Sequence, residues 1–295
     1  MHNIKDIRKN FEYFSKKIAE RNVKLDLKEL MDLDETNREL LQKKEKLEQE
    51  KKNISKSKDE KNFKKSKDLS SQINLLSDKQ TSIKKKLDQL LSSLPNLSLD
   101  DVPVGQDEKS NKIVKKVGKI RSFDFNIKSH IDLGNKNGGI DFEIATKLSG
   151  ARFVVLKNNF ALLERALINF MLDTHTNRFG YEEISPPVIV NEEIMFGTGQ
   201  LPKFLEDQFE LKIDNKNDKN KKFLIPTAEV VLTNLVRDSV INKDDLPKRF
   251  VASTPCFRKE AGSYGKDTRG MIRQHQFFKV ELVSIVEPNN CEKEL

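Results

Sequence analysis

Residues 257–282 read FRKEAGSYGKDTRGMIRQHQFFKVEL, and their reading decides the fold of the second half of the chain. The flanking runs, RFVASTPCFRKEAG (249–262) and MIRQHQFFKVELVSIV (271–286), are rich in aromatic and β-branched residues. They predict two strands joined by a long basic hairpin loop, SYGKDTRG (263–270). One residue breaks the apolar alternation of the second strand. Glu281 is a carboxylate where an inward side chain needs a partner.

Upstream of the hairpin, FLIPTAEVVLTNLV (223–236) predicts a strand, a turn and a helix. A longer helix is predicted from about Asn158 to Arg178, with Phe160, Leu163, Leu167, Phe170 and Met171 on one face and a stop at Phe179-Gly180. Next, YEEISPPVIV (181–190) predicts a short strand broken by Pro186 and Pro187. Two prolines cannot donate to a central ladder, so the segment is expected at a sheet edge or a chain-chain contact, or as a plain turn. KIDNKNDKNKK (212–222) reads as a polar surface loop. Neither GxGxxG nor GxxxxGKS/T occurs, which excludes Rossmann-type and P-loop phosphate sites from this stretch of sequence.

The first hundred residues follow a different rule. Ile4, Ile7, Phe11, Phe14 and Ile18 mark one face of a helical lead-in over residues 1–25. Leu33, Leu40, Leu47 and Ile54 then recur by sevens, with Leu30, Asn37, Lys44 and Lys51 at the alternate seam positions. Such a half-polar stripe makes a weak helix on its own. A second series, Leu69, Ile73, Leu76, Gln80, Ile83, Leu87, Leu90 and Leu94, completes it as an antiparallel helical hairpin, with the reversal expected in KSKDEKNFKKSKD (56–68). At ~1.5 Å per residue, helices of about thirty residues would make an arm roughly 45 Å long. Between Gln42 and Lys67 the arm carries eleven lysines against five acidic residues. That surplus suits either a solvated coiled-coil face or contact with phosphates.

The segment 101–117, with two prolines nearby and mixed charge, is expected to link the arm domain (1–100) to a globular domain (118–295) opened by GKIRSFDF. The composition, 36% hydrophobic with a net charge of +8, fits a polyanion-binding protein. No run of roughly twenty apolar residues is present, so no membrane association and a cytoplasmic address are expected. Cys256 and Cys291 are too few for a disulfide framework and lack metal-site spacing. No metal ligands are assigned.

The ordered set of GTGQLPKF (197–204), PTAEV (226–230) and FRKEAGSYGKDTRGMIRQHQFFKVEL, preceded by a two-helix arm and SLPNLSLDDVPVG (93–105), resembles seryl-tRNA synthetase, a class II aminoacyl-tRNA synthetase. The resemblance runs from Met1 to about Glu287. It implies an α+β fold: a coiled-coil arm followed by a class II antiparallel sheet flanked by helices. It also implies activation of serine with ATP, transfer to tRNA(Ser) and in the family to tRNA(Sec), and a homodimer in which one subunit's arm serves the other's site.

Residue by residue, the resemblance gives Arg258 the catalytic role of bridging the serine carboxylate and the α-phosphate of ATP. A planar guanidinium can do this, whereas Lys259 could not with the same geometry. Thr227, Ala228 and Glu229 would hold the serine ammonium and backbone, and Glu281 the hydroxyl. Lys259, Glu260, Arg273 and Phe277 would bind ATP, with Phe277 stacked on adenine. Considered alone, Phe277 reads as core, and His275 as a structural hydrogen-bonding residue, because an ionised carboxylate needs no general base. In the arm, Lys43, Lys44, Lys51, Lys52, Lys56 and Lys58 would lie along tRNA phosphates. The family pattern continues with further strands, Mg2+ ligands and a third-motif arginine that this sequence does not contain. The chain is therefore expected to be either a C-terminally truncated piece or a non-catalytic relative that binds tRNA or serine only. A scaffold role for the coiled coil is the third alternative.

Overall fold

The computed structural model describes residues 2–23, 26–55, 60–213, 221–262 and 270–295. The chain divides into two compact units, Met1–Lys119 and Ile120–Leu295.

The first unit is helical. Its lead-in is two helices, α1 (Ile4–Lys9) and α2 (Phe11–Glu20), rather than the single helix expected. Asn10, with φ −131° and ψ 45°, closes one and opens the other. Asparagine favours such junctions, because its side chain competes with helical backbone bonding. The predicted apolar face survives the break. Ile7, Phe14 and Ile18 are buried against Leu30, Leu87 and Leu91 at the root of the hairpin.

The hairpin consists of α3 (Leu27–Ile54), capped by the Asp26 carboxylate, and α4 (Glu60–Ser93). Helix α4 begins eight residues before the end of the reversal expected over 56–68. Lysine and glutamate propagate helices well, and Lys65 pairs with Glu50 across the hairpin at 3.0 Å, so polarity alone does not make a turn here. Among residues 35–55 only Asn37, Leu40, Lys44, Leu47, Lys51 and Ile54 are not fully exposed, which is the predicted seam. Two of its polar members, Asn37 and Lys44, find partners. The Gln80 amide donates to Asn37 Oδ1 at 2.9 Å, and Lys44 Nζ donates to Ser77 Oγ at 3.4 Å.

After α4 the chain folds back on the root of the hairpin. Lys17 pairs with Asp100 at 2.6 Å, and Asn22 donates to the Gly105 carbonyl at 2.9 Å. Residues 111–129 carry no regular structure and are exposed throughout, including GKIRSFDF, which was expected to open the globular region.

Regular structure resumes with α5 (His130–Lys136), started by a reciprocal Ser129/Asp132 capping box. It continues through β1 (Ile140–Asp141), α6 (Phe142–Ser149), β2 (Val155–Leu156) and α7 (Asn158–Phe179). Gly180, at φ 68°, ends α7 in the left-handed region that glycine reaches without strain. There follow β3 (Glu182–Glu183), β4 (Ile189–Asn191), α8 (Glu192–Gly197), β5 (Glu210–Leu211), β6 (Lys222–Leu224) and α9 (Glu229–Asn234). The last elements are β7 (Lys248–Phe257), β8 (Gln276–Ile285) and α10 (Cys291–Glu294).

Two three-stranded sheets carry this unit, in the orders β3-β7-β8 and β4-β6-β5. Pairing is antiparallel except between β3 and β7. As the two prolines require, β3 and β4 both lie at sheet edges, on either side of Pro186 and Pro187. One cluster of Met195, Phe223, Ile225 and Val230 and another of Ala228, Leu232, Phe250 and Ala252 form the core. No helix of the described residues is long and apolar enough to cross a membrane.

Candidate active site

The strands β7 and β8 run antiparallel over ten residues each, with Cys256 opposite Phe277, Thr254 opposite Lys279 and Ala252 opposite Glu281. Alternation puts all six on one face. The β7 members are small and fully buried, so they form a low floor; the β8 members are long and only partly covered. Burial pushes the Cys256 thiol above its ordinary range, which keeps it protonated and inert.

Over this face passes the segment that leaves β6. The Phe257 N–H donates to the Ile225 carbonyl at 2.9 Å and so ties that segment to the end of β7. Thr227 is thereby delivered to the hairpin. Its hydroxyl donates to Glu281 Oε2 at 2.5 Å and accepts from Lys279 Nζ at 2.7 Å, and Lys279 also pairs with Glu281. Glu281 thus has the partners that an inward carboxylate requires.

Arg258 follows β7 directly and is held on three sides. Its N–H donates to the His275 carbonyl at 3.0 Å, its own carbonyl is bonded by His275 Nδ1 at 2.9 Å, and its Nε donates to the Pro226 carbonyl at 3.2 Å. The guanidinium carbon lies 5.2 Å from the centre of the Phe277 ring, within cation–π range. Among the described residues neither terminal nitrogen of Arg258 has a hydrogen-bond partner, so both are open to a ligand. His275, packed between Phe153 and Phe209, acts on the backbone of Arg258 as a structural hydrogen-bonding residue.

The next turn is strained and over-determined. Glu260 sits at φ 52°, a region costing roughly 1–3 kcal/mol for a residue with a Cβ. Asp207 holds it in place by accepting the Lys259 N–H at its carbonyl (2.9 Å) and the Ala261 N–H at its carboxylate (2.8 Å), while Arg152 Nη1 donates to the Glu260 carbonyl at 3.2 Å. The Glu260 carboxylate takes Arg273 Nη1 at 3.2 Å. Together Arg258, Glu260, Arg273, Asp207, Gln208 and Phe204 line a cleft of about 330 Å³.

The structure brings together most of the residues singled out from the sequence. Arg258, Glu260 and Arg273 line the cleft, Phe277 lies under Arg258, and Thr227 and Glu281 are bonded beside it through Pro226. Three residues depart from expectation. Ala228 is fully buried in the core and presents only its backbone. Glu229 is exposed and reaches Thr227 only through its N–H, at 3.3 Å. Lys259 lies outside the cleft lining, with Nζ 5.7 Å from the Phe209 ring centre. In the arm, Lys43 and Lys52 are exposed, whereas Lys44 and Lys51 occupy the seam and are partly covered. Lys56, Lys58 and the loop residues 263–269 lie outside the described residues.

Sequence reasoning missed Asp207, Gln208, Arg152 and Lys279. The first two come three and four residues after GTGQLPKF, one of the stretches that carry the resemblance. Lys279 was marked by alternation, since it shares the face of Phe277 and Glu281. Arg152 gave no sequence signal; its neighbour Glu260 is 108 residues away.

Residues 1–98 match the family model described as the seryl-tRNA synthetase N-terminal domain, and residues 209–295 that of the class II tRNA synthetase core domain (G, H, P, S and T). The chain is 57% identical to the serine–tRNA ligase of Pelagibacter ubique over 295 residues, covering all of this chain and 70% of that protein. It is 48% identical to that of Wolbachia pipientis, with 100% and 70% covered. Among solved structures, the seryl-tRNA synthetase of Pyrococcus horikoshii complexed with ATP superposes with a TM-score of 0.84 at 32% identity, covering 100% of this chain and 71% of that one.

Proposed function

This chain belongs to the serine–tRNA ligase family, and from that premise we propose that it activates serine with ATP and transfers the seryl group to tRNA(Ser). In the first step a serine carboxylate oxygen attacks the α-phosphorus and pyrophosphate leaves, giving seryl-adenylate. Two anions must meet, so a cation has to be held between them. The observation that carries this reading is the anchoring of Arg258: three hydrogen bonds fix its backbone and Nε, and its two terminal nitrogens remain to bridge carboxylate and α-phosphate.

The other roles follow the placement of each group. Glu281 accepts the serine hydroxyl, and the backbone of Thr227 and Ala228 and the charge of Glu229 hold the ammonium. Glu260 accepts the adenine amino group. Phe277 stacks on the base. Arg273 faces the phosphate chain, and Lys259 reaches it by turning from Phe209. No general base is needed, in keeping with the structural bonding of His275. ATP arrives as its Mg2+ complex, but among the described residues no three His, Cys, Asp or Glu side chains converge to hold an ion. The described residues do not by themselves make a Mg2+ site.

The arm lysines, Lys43 and Lys52 foremost because they are exposed, bind the tRNA backbone through its phosphates, and the active species is a homodimer. The test is serine-dependent exchange of pyrophosphate into ATP by the full-length protein. Arg258→Ala should lower it by at least ~10²–10³-fold. Unchanged exchange in that variant would refute the role of Arg258, and tRNA binding without any exchange by the wild type would favour a non-catalytic relative.

A further inference from the structure

Recognising a hydroxyl calls for two complementary groups, because a serine side chain both donates one proton and accepts at its oxygen. The proposed serine site has so far been given only an acceptor, Glu281. A carboxylate alone reads the donor half. The structure places a second group beside it.

Lys279 lies two residues before Glu281 on the same face of β8, opposite Thr254 on the floor. Its ammonium donates to Thr227 Oγ1 at 2.7 Å and pairs with Glu281 Oε2, and the Thr227 hydroxyl gives its proton to that same Oε2 at 2.5 Å. The result is a closed triangle. Thr227 spends its single proton on Glu281, and its oxygen takes Lys279 together with the Glu229 N–H at 3.3 Å. Thr227 is therefore saturated and cannot itself read a ligand hydroxyl.

What the triangle leaves over matters more. The ammonium has three protons and uses two, and both internal bonds to Glu281 fall on Oε2. Among the described residues, one N–H of Lys279 and the Oε1 of Glu281 have no partner. They form a fixed donor–acceptor pair, with the side chains of Lys279 and Glu281 about 31% and 20% exposed. Thr227, 4% exposed, locks the geometry of both.

We infer that Lys279 is a specificity-determining residue. Its free N–H donates to the serine hydroxyl oxygen while Glu281 Oε1 accepts the hydroxyl proton, so the alcohol is bonded from both sides. Alanine and glycine would leave the donor and the acceptor unmet at once, and that double loss is what rejects them. A larger residue such as threonine would be excluded by shape, not by this pair. The inference rests on the serine site proposed above.

The experiment compares serine and alanine as substrates for pyrophosphate exchange by the full-length wild type, Lys279→Met and Lys279→Gln. Methionine matches the stem but has no N–H, whereas glutamine keeps an N–H without charge. Lys279→Met is expected to lower the serine-to-alanine ratio of kcat/KM by about 10–100-fold, chiefly through a raised KM for serine, and Lys279→Gln is expected to restore much of it. If Lys279 merely neutralises Glu281, the two variants will lose discrimination equally, and the inference fails. A ratio unchanged in Lys279→Met overturns it as well. Should Lys279→Met prove unfolded by its far-UV spectrum, the Gln variant decides alone: a ratio as low as that of Glu281→Gln contradicts the inference. Absence of serine-dependent exchange in the wild type would instead sink the underlying functional reading, so the two failures are distinguishable.

Discussion

The arm and the β7–β8 hairpin are both built from two antiparallel elements, yet they keep their partners in opposite ways. In the arm, two neighbouring helices suffice, with Asn37 meeting Gln80 and Lys44 meeting Ser77 across the pair. At the hairpin, two strands supply only half the site; the rest comes from Asp207, Pro226 and Thr227 before them and Arg152 still earlier. An arm can be lengthened or cut with local consequences. A site assembled from four segments cannot.

The comparison extends within the arm itself. Its root buries six residues, including Leu30, Leu87 and Leu91, but its distal part has a thin seam in which Asn37 meets Gln80. Leu87→Ala should therefore cost about 2–5 kcal/mol, read as a shift in the urea midpoint of the helical signal. Leu76→Ala, in the half-exposed seam, should cost only about 1 kcal/mol. Equal losses would mean that the distal seam is packed as tightly as the root.

A smaller effect probes the end of β8, where an ion pair rather than a core makes the contact. Arg249 grips the Glu294 carboxylate with two bonds, at 2.5 and 2.8 Å. That hydrogen bonding, with a further bond from Ser284, lowers the Glu294 pKa from 4.5 to about 2. Because the folded-state value is depressed, its stabilising contribution is present above about pH 4.5 and is lost as the pH falls toward 2. An NMR titration should find the Glu294 midpoint near 2, moving up toward 4.5 in Arg249→Gln. A midpoint already at 4.5 in the wild type would remove this contact from the account.

How much was legible in the sequence follows the same division. The seam was readable position by position because helical periodicity is a local property, and the paired strands were readable from alternation. The reversal was placed too broadly, since polar residues such as Lys64 and Lys65 are as much at home on a helix as in a turn. The break at Asn10 was missed because the apolar face runs straight through it. At the site, Glu281 stood out by chemistry in an apolar strand, whereas Arg258 and Glu260 were marked by the family resemblance. Asp207 and Arg152 did not, because their work is to hold backbone groups that only the tertiary fold brings near. The burial of Ala228 and the outward turn of Lys259 likewise depend on neighbours distant in the chain.

The separability of arm and site can be measured in one variant of the full-length protein. Asn37 and Gln80 face each other at 2.9 Å, so a short Gly/Ser turn replacing residues 38–79 spares the buried root. Serine-dependent pyrophosphate exchange should stay within about threefold of wild type, while serylation of tRNA should fall at least about 10²-fold and lose its steep salt dependence. Exchange and charging falling together, or charging left intact, would contradict the division of labour proposed here.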